Sequence, residues 1–241
     1  MTISLKAFNK ILSDDVIFEK NPHIALGVSG GPDSIALAFL LNKWIKKNKG
    51  KLTCLIVDHK IRIDSYEESF LTKKILNKLS INSKILRVSE KNIGQGKMSQ
   101  ARINRFEKLI NYCRKNSLLH LFLAHHYDDN IETFLLRKVA GSNIEGLNCM
   151  QTVTCTDYVQ IVRPFLKFKK KEILSFNKKN NLKFIEDPSN SNIKYSRVAV
   201  RNFLSLNKEI SNDIKQDFEL VRNNYSNYKA MIYQIFNLIL I

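Results

Sequence analysis

Thiol chemistry has little foothold in this chain, since its four cysteines, Cys54, Cys113, Cys149 and Cys155, form no Cys-x-x-Cys pair. That suits reduced thiols in a cytoplasmic protein better than a disulfide framework or a zinc site. No stretch reaches the roughly 20 apolar residues of a membrane-spanning helix. The amphipathic start, Met1 to Leu12, lacks the apolar core and small-residue cleavage site of a signal peptide. Internal repeats and low-complexity tracts are absent as well. Acidic residues are the other shortage: 22 Asp and Glu stand against 39 Lys and Arg, a net charge of +17. A surface so basic favours polyanions, nucleic acid first and acidic membranes second. Compositional drift toward Lys, Asn and Ile inflates that charge without explaining the basic stretches beside the motifs below.

What is present is ordinary globular material, 44% hydrophobic and 25% charged over 241 residues. That is enough for one large domain, or one domain with a small appendage. The chain centres on Ile24 to Leu41. An apolar run, Ile24 to Val28, meets Ser29-Gly30-Gly31-Pro32-Asp33-Ser34, and a second apolar run, Ile35 to Leu41, follows. This reads as strand, glycine turn and helix start. The two glycines allow backbone angles and close approach that a Cβ would block. Pro32 suits the first helical turn, where its missing N–H costs nothing. With the hydroxyls of Ser29 and Ser34 and the unpaired amides of a helix start, the segment forms an anion cradle. It is neither a Walker A sequence nor a dinucleotide fingerprint. A plain Gly-Gly turn with a Ser-Asp cap would need no ligand.

Further apolar runs at Leu52–Val57, Lys84–Val88 and Leu118–Ala124 alternate with helical patterns at Asp64–Leu79, Ser99–Cys113 and Tyr127–Val139. The helix from Asp64 is expected to bury Phe70, Leu71, Ile75 and Leu79. Leu5–Leu12 reads as a leading helix, Gly94–Gly96 as a loop and Val159–Val162 as a last strand. Strand–helix alternation predicts a parallel sheet covered on both faces, with ligands beyond the carboxyl ends of the strands. Three predicted strand ends hold the informative residues: Ser29–Ser34, Asp58–Arg62 and His125–Asp129. Beyond Gly141 the pattern weakens. A turn at Glu186–Asn190 precedes a helix with Arg197 and Arg201, and Asp213–Ile241 reads as one long helix. Its apolar positions run through Ile214, Phe218, Val221, Tyr225, Tyr228, Ile232, Ile235 and Ile239, which line one face.

Ala124-His125-His126-Tyr127-Asp128-Asp129-Asn130-Ile131-Glu132-Thr133 is the second strong signal. A helix starting near Tyr127 puts Asp128 and Glu132 on one face with Asp129 beside them. Three such acids hold Mg²⁺ through oxygen, or a cationic substrate, or merely complement a helix dipole. Arg102 and Arg105, one turn apart, either grip phosphate, line an RNA groove or stay solvated, and Phe106 either stacks on a base or packs.

Ser29–Ser34 resembles the pyrophosphate loop of the N-type ATP pyrophosphatases. The full set, in order, resembles the tRNA(Ile)-lysidine synthase family over about Ile24 to Leu204. That set comprises the loop; Val57-Asp58-His59 with Arg62; Ala101-Arg102 with Arg105-Phe106; and Ala124-His125-His126 with Asp128, Asp129, Glu132 and Thr133. It continues with Arg163-Pro164-Phe165-Leu166, Glu186-Asp187-Pro188-Ser189-Asn190, and Arg197 with Arg201-Asn202. Val198 departs from the family, which usually has Asn there, and the family's usual C-terminal tRNA-binding appendages have no counterpart before Ile241.

The resemblance implies an α/β fold: a Rossmann-like, parallel-sheet PP-loop ATPase domain over residues 1–205, and a short helical extension over 206–241. It implies ATP-dependent adenylation of the first anticodon cytidine of tRNA(Ile) with a CAU anticodon, then displacement of AMP by free L-lysine. The product, lysidine, switches the codon read from AUG to AUA. Ser29, Gly30, Gly31, Pro32, Asp33, Ser34, Asp58 and Arg102 would bind ATP, with Asp33 as a candidate Mg²⁺ ligand. Asp33, His125, Asp128, Asp129 and Glu132 would surround the reaction, and Arg105, Arg163, Asp187, Arg197 and Arg201 would hold tRNA or substrate. Rival readings are a tRNA 2-thiocytidine-type sulfurtransferase, whose known relatives use Cys-x-x-Cys, a small-molecule amidotransferase-type synthetase, and a non-catalytic basic RNA-binding protein. The long last helix either packs back onto the catalytic domain or forms a homodimer seam that supplies tRNA surface.

Overall fold

Unbroken apolar runs suit strands buried on both faces, and here they become the middle of one sheet. The structure, a computed structural model, describes residues 2–58, 65–87, 97–186 and 196–239. In chain order the elements are α1 (Leu5–Asp15), β1 (His23–Val28), α2 (Pro32–Lys47), β2 (Lys51–Asp58), α3 (Ser65–Lys78), β3 (Ser83–Arg87), α4 (Lys97–Lys115) and β4 (His120–Phe122). There follow α5 (Tyr127–Val139), α6 (Ile144–Leu147), β5 (Val153–Cys155), β6 (Gln160–Val162), a 3-10 turn at Pro164–Lys167, α7 (Lys170–Lys179), α8 (Ser196–Leu206) and α9 (Lys208–Ile239). The chain divides into two compact units, Met1–His126 with Thr152–Asp187, and Tyr127–Gln151 with Pro188–Ile241.

The first unit holds the six-stranded sheet, in the order β3-β2-β1-β4-β6-β5. All neighbours are parallel except β5 and β6. Central β1 sets the register: Ile24 lies opposite both Leu52 and His120, and Val28 opposite Ile56. Side chains alternate between two cores. Ile24, Leu26, Val28, Ile56, Phe122 and Val162 face one core with α1, α2 and α7, while Ala25, Leu55, Leu121, Leu123 and Ile161 face the other with α4. Gly27 lets α4 approach closely, because a Cβ there would lie 3.0 Å from Leu123 and 3.1 Å from Leu109.

Local signals explain the helices that flank the sheet. Ser4 caps α1 by accepting from the Ala7 amide at 3.1 Å, and Phe8, Ile11 and Leu12 form its buried stripe. α2 starts at Pro32 after the N-cap Gly31, has Asp33 in its first turn and Lys46 and Lys47 in its last, and so complements its own dipole. α7 begins with a hydrogen bond from the Lys169 amide to the Glu172 carboxylate at 2.8 Å.

The second unit is helical. Ile131 and Phe134 of α5 pack with Ile214 and Phe218 of α9, joined by Leu147 of α6 and Leu204 of α8. Phe218 is edge-on to Phe134, with ring centroids 5.5 Å apart, and Lys138 pairs with Asp217. Asn130, fully buried, both donates to the Met150 carbonyl at 3.0 Å and accepts from the Met150 amide at 3.1 Å. That double bond satisfies a buried amide and pins the segment after α6 to α5.

The expected parallel α/β sheet is present, and so is the long final helix. Several details differ. Phe70 and Leu71 are exposed on α3, whose inward face is Ser69, Thr72 and Leu76, with Ile75 and Leu79 partly buried. The helix's polar small residues face inward, so an apolar periodicity misplaced that face. Antiparallel β5, short α6 and the ten-residue α7 have no counterpart in the reading of the sequence; three-residue and four-residue elements such as β5 and α6 are too brief to show a period. The last helix starts at Lys208, ahead of Asp213. Along its stripe, Ile214 and Phe218 are buried, whereas Tyr228 and Ile235 are exposed. His59, Arg62, Gly94–Gly96 and Asp187 to Asn190 lie outside the described residues.

Candidate functional site

In a parallel sheet, side chains just past the strand ends gather along one edge. Three adjacent strands, β2, β1 and β4, end here at Asp58, at Ser29 and at the segment Ala124-His125-His126. The loop after β1 is internally braced. The Ser29 amide donates to Ser34 Oγ at 3.3 Å, the two serine hydroxyls lie 3.4 Å apart, and Ser34 Oγ donates to the Gly31 carbonyl at 3.0 Å. Gly30 takes φ +86°, and its carbonyl accepts from the Ile185 amide at 2.9 Å. Gly31 differs from Gly30: a Cβ there would meet only Ser29 Oγ, at an ordinary 3.6 Å. No described protein atom therefore demands glycine at Gly31, which leaves its open face for an approaching ligand.

Asp33 projects from the first turn of α2. Both its oxygens accept from the Lys170 ammonium, at 2.7 and 2.6 Å, and His126 Nε2 lies 4.0 Å from Oδ2. Asn177 Nδ2 donates to the Pro32 carbonyl at 2.9 Å, which ties α7 to the same turn. Lys170 and Asn177 escaped the reading of the sequence; Glu172, in capping position three residues after Lys169, is the signal that could have revealed α7. Asp58 is buried at 2% exposure, and Arg102 and Arg105 are half-buried on α4. Phe106 packs against the second core.

Arg163 follows β6 and is buried, and its Nη1 donates to Thr154 Oγ1 at 3.0 Å. Burial, followed by the charge of Arg102, lowers its pKa to about 10. Among the described residues no three His, Cys, Asp or Glu side chains group to hold a metal. The Asp33 carboxylate fits the other arrangement, Mg²⁺ held by one carboxylate and by substrate phosphates.

The second unit places the acidic cluster at the start of α5, which begins at Tyr127 as the spacing predicts. Glu132 is buried, and its Oε1 accepts from Arg201 Nε at 2.8 Å. Its Oε2 has no hydrogen-bond partner among the described residues. Burial raises the Glu132 pKa, Arg201 opposes that shift, and Asp129 adds to it. Thr133 Oγ1 donates to the Asp129 carbonyl at 2.7 Å and accepts from Arg197 Nη2 at 3.1 Å. α8 thus sets both its arginines on α5. Val198, between them, is buried at 8% exposure, a core position that an apolar side chain fills.

Residues 2–208 match a family described as a PP-loop domain. The chain belongs to the PP-loop family. Among curated proteins it is 36% identical over 187 residues to a tRNA(Ile)-lysidine synthase of Orientia tsutsugamushi (strain Boryong), covering 78% of this chain and 42% of that one. It is 38% identical over 207 residues to the tRNA(Ile)-lysidine synthase of Wolbachia pipientis wMel, covering 84% and 48%. The PP-loop chain therefore spans less than half the length of either relative. Its fold resembles the U34-tRNA thiolase NcsA from Methanococcus maripaludis, with a TM-score of 0.75 at 20% identity, over 93% of this chain and 77% of that one.

Proposed function

We propose that this PP-loop protein is a tRNA(Ile)-lysidine synthase, with residues 1–205 as the catalytic part and 206–241 as a helical extension. The observation that carries the reading is the braced loop with its open face at Gly31, in a chain 36% and 38% identical to two proteins of that name. ATP would lie with its phosphates on Ser29, Gly30, Gly31 and Ser34, where loop amides and the start of α2 stabilise the departing pyrophosphate. Mg²⁺, when bound through Asp33, would supply charge neutralisation there. The cytidine O2 of a CAU anticodon attacks the α-phosphate and becomes adenylated. The lysine amine then attacks C2, and AMP leaves. Asp128, Asp129 and Glu132 attract the lysine ammonium and aid its deprotonation, while His125 lies near the reacting centre. Arg102 holds ATP phosphate, and Arg105, Arg163, Asp187, Arg197 and Arg201 hold tRNA or nucleotide.

Cysteine placement agrees with a reaction that needs no thiol. Cys54 and Cys113 are buried, and burial pushes the Cys113 thiol up to about 12 against an opposing backbone hydrogen bond and raises Cys54 as well, while Cys149 is half-buried and Cys155 exposed, neither in a Cys-x-x-Cys pair. The test is incubation with ATP, radiolabelled lysine and a tRNA(Ile) transcript, followed by nucleoside analysis. Labelled lysidine is the expected result. RNA binding with no nucleotide turnover would overturn the enzyme reading in favour of a basic RNA-binding protein.

A further inference from the structure

We propose that Lys170 is a phosphate-contacting residue of the loop, whose ammonium rests on Asp33 and passes to the β- and γ-phosphates when nucleotide arrives. The inference rests on the ATP reading above and adds a residue to it. Lys170 is not a chance surface partner. It opens α7, whose first turn is fixed by the Lys169–Glu172 capping bond and whose later turn is tied to the loop by Asn177 on the Pro32 carbonyl. Phe176 of the same helix meets the Phe39 ring edge-on, with centroids 6.0 Å apart. Those contacts bring the ammonium to the first turn of α2, where both Asp33 oxygens take it up at 2.7 and 2.6 Å.

The electrostatics of that position point to an exchange. A helix N-terminus carries partial positive charge and favours anions, so a lysine delivered there adds to an already positive field. Asp33 offers one negative charge against the Lys170 ammonium and the amides of α2. The pair is also not sealed, with the side chains 37% and 24% exposed, so a polyanion can reach it. Pyrophosphate, with several negative charges, competes with a single carboxylate for an ammonium that has three N–H donors. Transfer of the ammonium would free the Asp33 carboxylate for a cation that accompanies the phosphates. In the proposed reaction Lys170 would then hold the leaving pyrophosphate.

Calorimetric titration of the full chain with inorganic pyrophosphate and with AMP, in magnesium and in EDTA, tests this. Lys170→Ala should weaken pyrophosphate binding about tenfold or more, the loss typical of a charge-assisted contact, and leave AMP binding unchanged. Lys170→Arg should restore most of the affinity. Asp33→Asn should tighten pyrophosphate binding in EDTA, because the competing carboxylate charge is gone, which a structural ion pair would not do. Unchanged pyrophosphate affinity in Lys170→Ala would overturn the inference. So would equal losses for pyrophosphate and AMP together with a lowered Tm. A wild-type protein that binds neither ATP nor pyrophosphate would instead overturn the ATP reading itself.

Discussion

Thr72 fills the space that a side chain on Gly30 would need: a Cβ built there stands 2.3 Å from Thr72 Oγ1. The two glycines of the loop thus serve different ends. Gly30→Ala should destabilise the fold by about 2 kcal/mol or more, from its positive φ and this clash together. Adding Thr72→Ala should recover the steric part only. Gly31→Ala should leave stability near wild type and weaken ATP binding. Thermal melts with ATP titrations check the set, and a Gly30→Ala protein as stable as wild type would sink the packing argument.

Glu132 makes stability depend on acid. Its folded pKa is raised, so its titration favours the native state fully below the unfolded value near 4.5. That contribution fades as pH rises through the higher folded value. Glu132→Gln keeps an acceptor for Arg201 and cannot titrate. The stability of wild type relative to Glu132→Gln should therefore fall between pH 4 and pH 7. Denaturant unfolding at both pH values measures it, and an equal difference at the two would contradict the raised pKa.

Asp129→Asn should raise the lysine KM about tenfold, since a charge-assisted contact is worth ~1.5–3 kcal/mol, with little change in the ATP KM. A raised Mg²⁺ requirement at constant lysine KM would assign Asp129 to metal instead.

Much of the local structure around the candidate residues was legible because their motifs are short-range. Strand, glycine turn and helix start follow one another within Ile24–Leu41, and the acidic helix begins at Tyr127 where its spacing puts it. What was illegible depends on distant partners. The ammonium on Asp33 comes from a residue 137 positions later in the chain, a separation over which no local pattern carries a signal. The inward Ser69 and Thr72 of α3 were hidden for a related reason, because a polar residue can face a core when the neighbouring element approaches closely. The antiparallel β5 was lost for lack of length.

Helix α9 should behave as two halves. Phe218→Ala should cost about 3–5 kcal/mol, because its ring is buried between Tyr127 and Phe134. Ile235→Asp should leave folding intact, since Ile235 is 43% exposed. Sedimentation of both proteins tests the homodimer reading. A seam through the outer half requires a dimeric wild type that Ile235→Asp converts to a folded monomer, and a monomeric wild type eliminates it.

Binding of tRNA should weaken at least about a hundredfold between roughly 50 and 200 mM salt, through counterion release from phosphates that meet a +17 protein. A flat response in a filter-binding series would remove the basic surface as the docking face.

The sheet finishes on two poor templates for further strands. At one border β3 presents Lys84 and Arg87, and at the other β5 is only three residues long and runs against its neighbour. Charge and brevity are both deterrents to edge-to-edge pairing. By that principle the two borders deter a further strand from extending the sheet of a chain rich in Ile and Leu. Neutralising Lys84 and Arg87 together would remove the charged half of that protection.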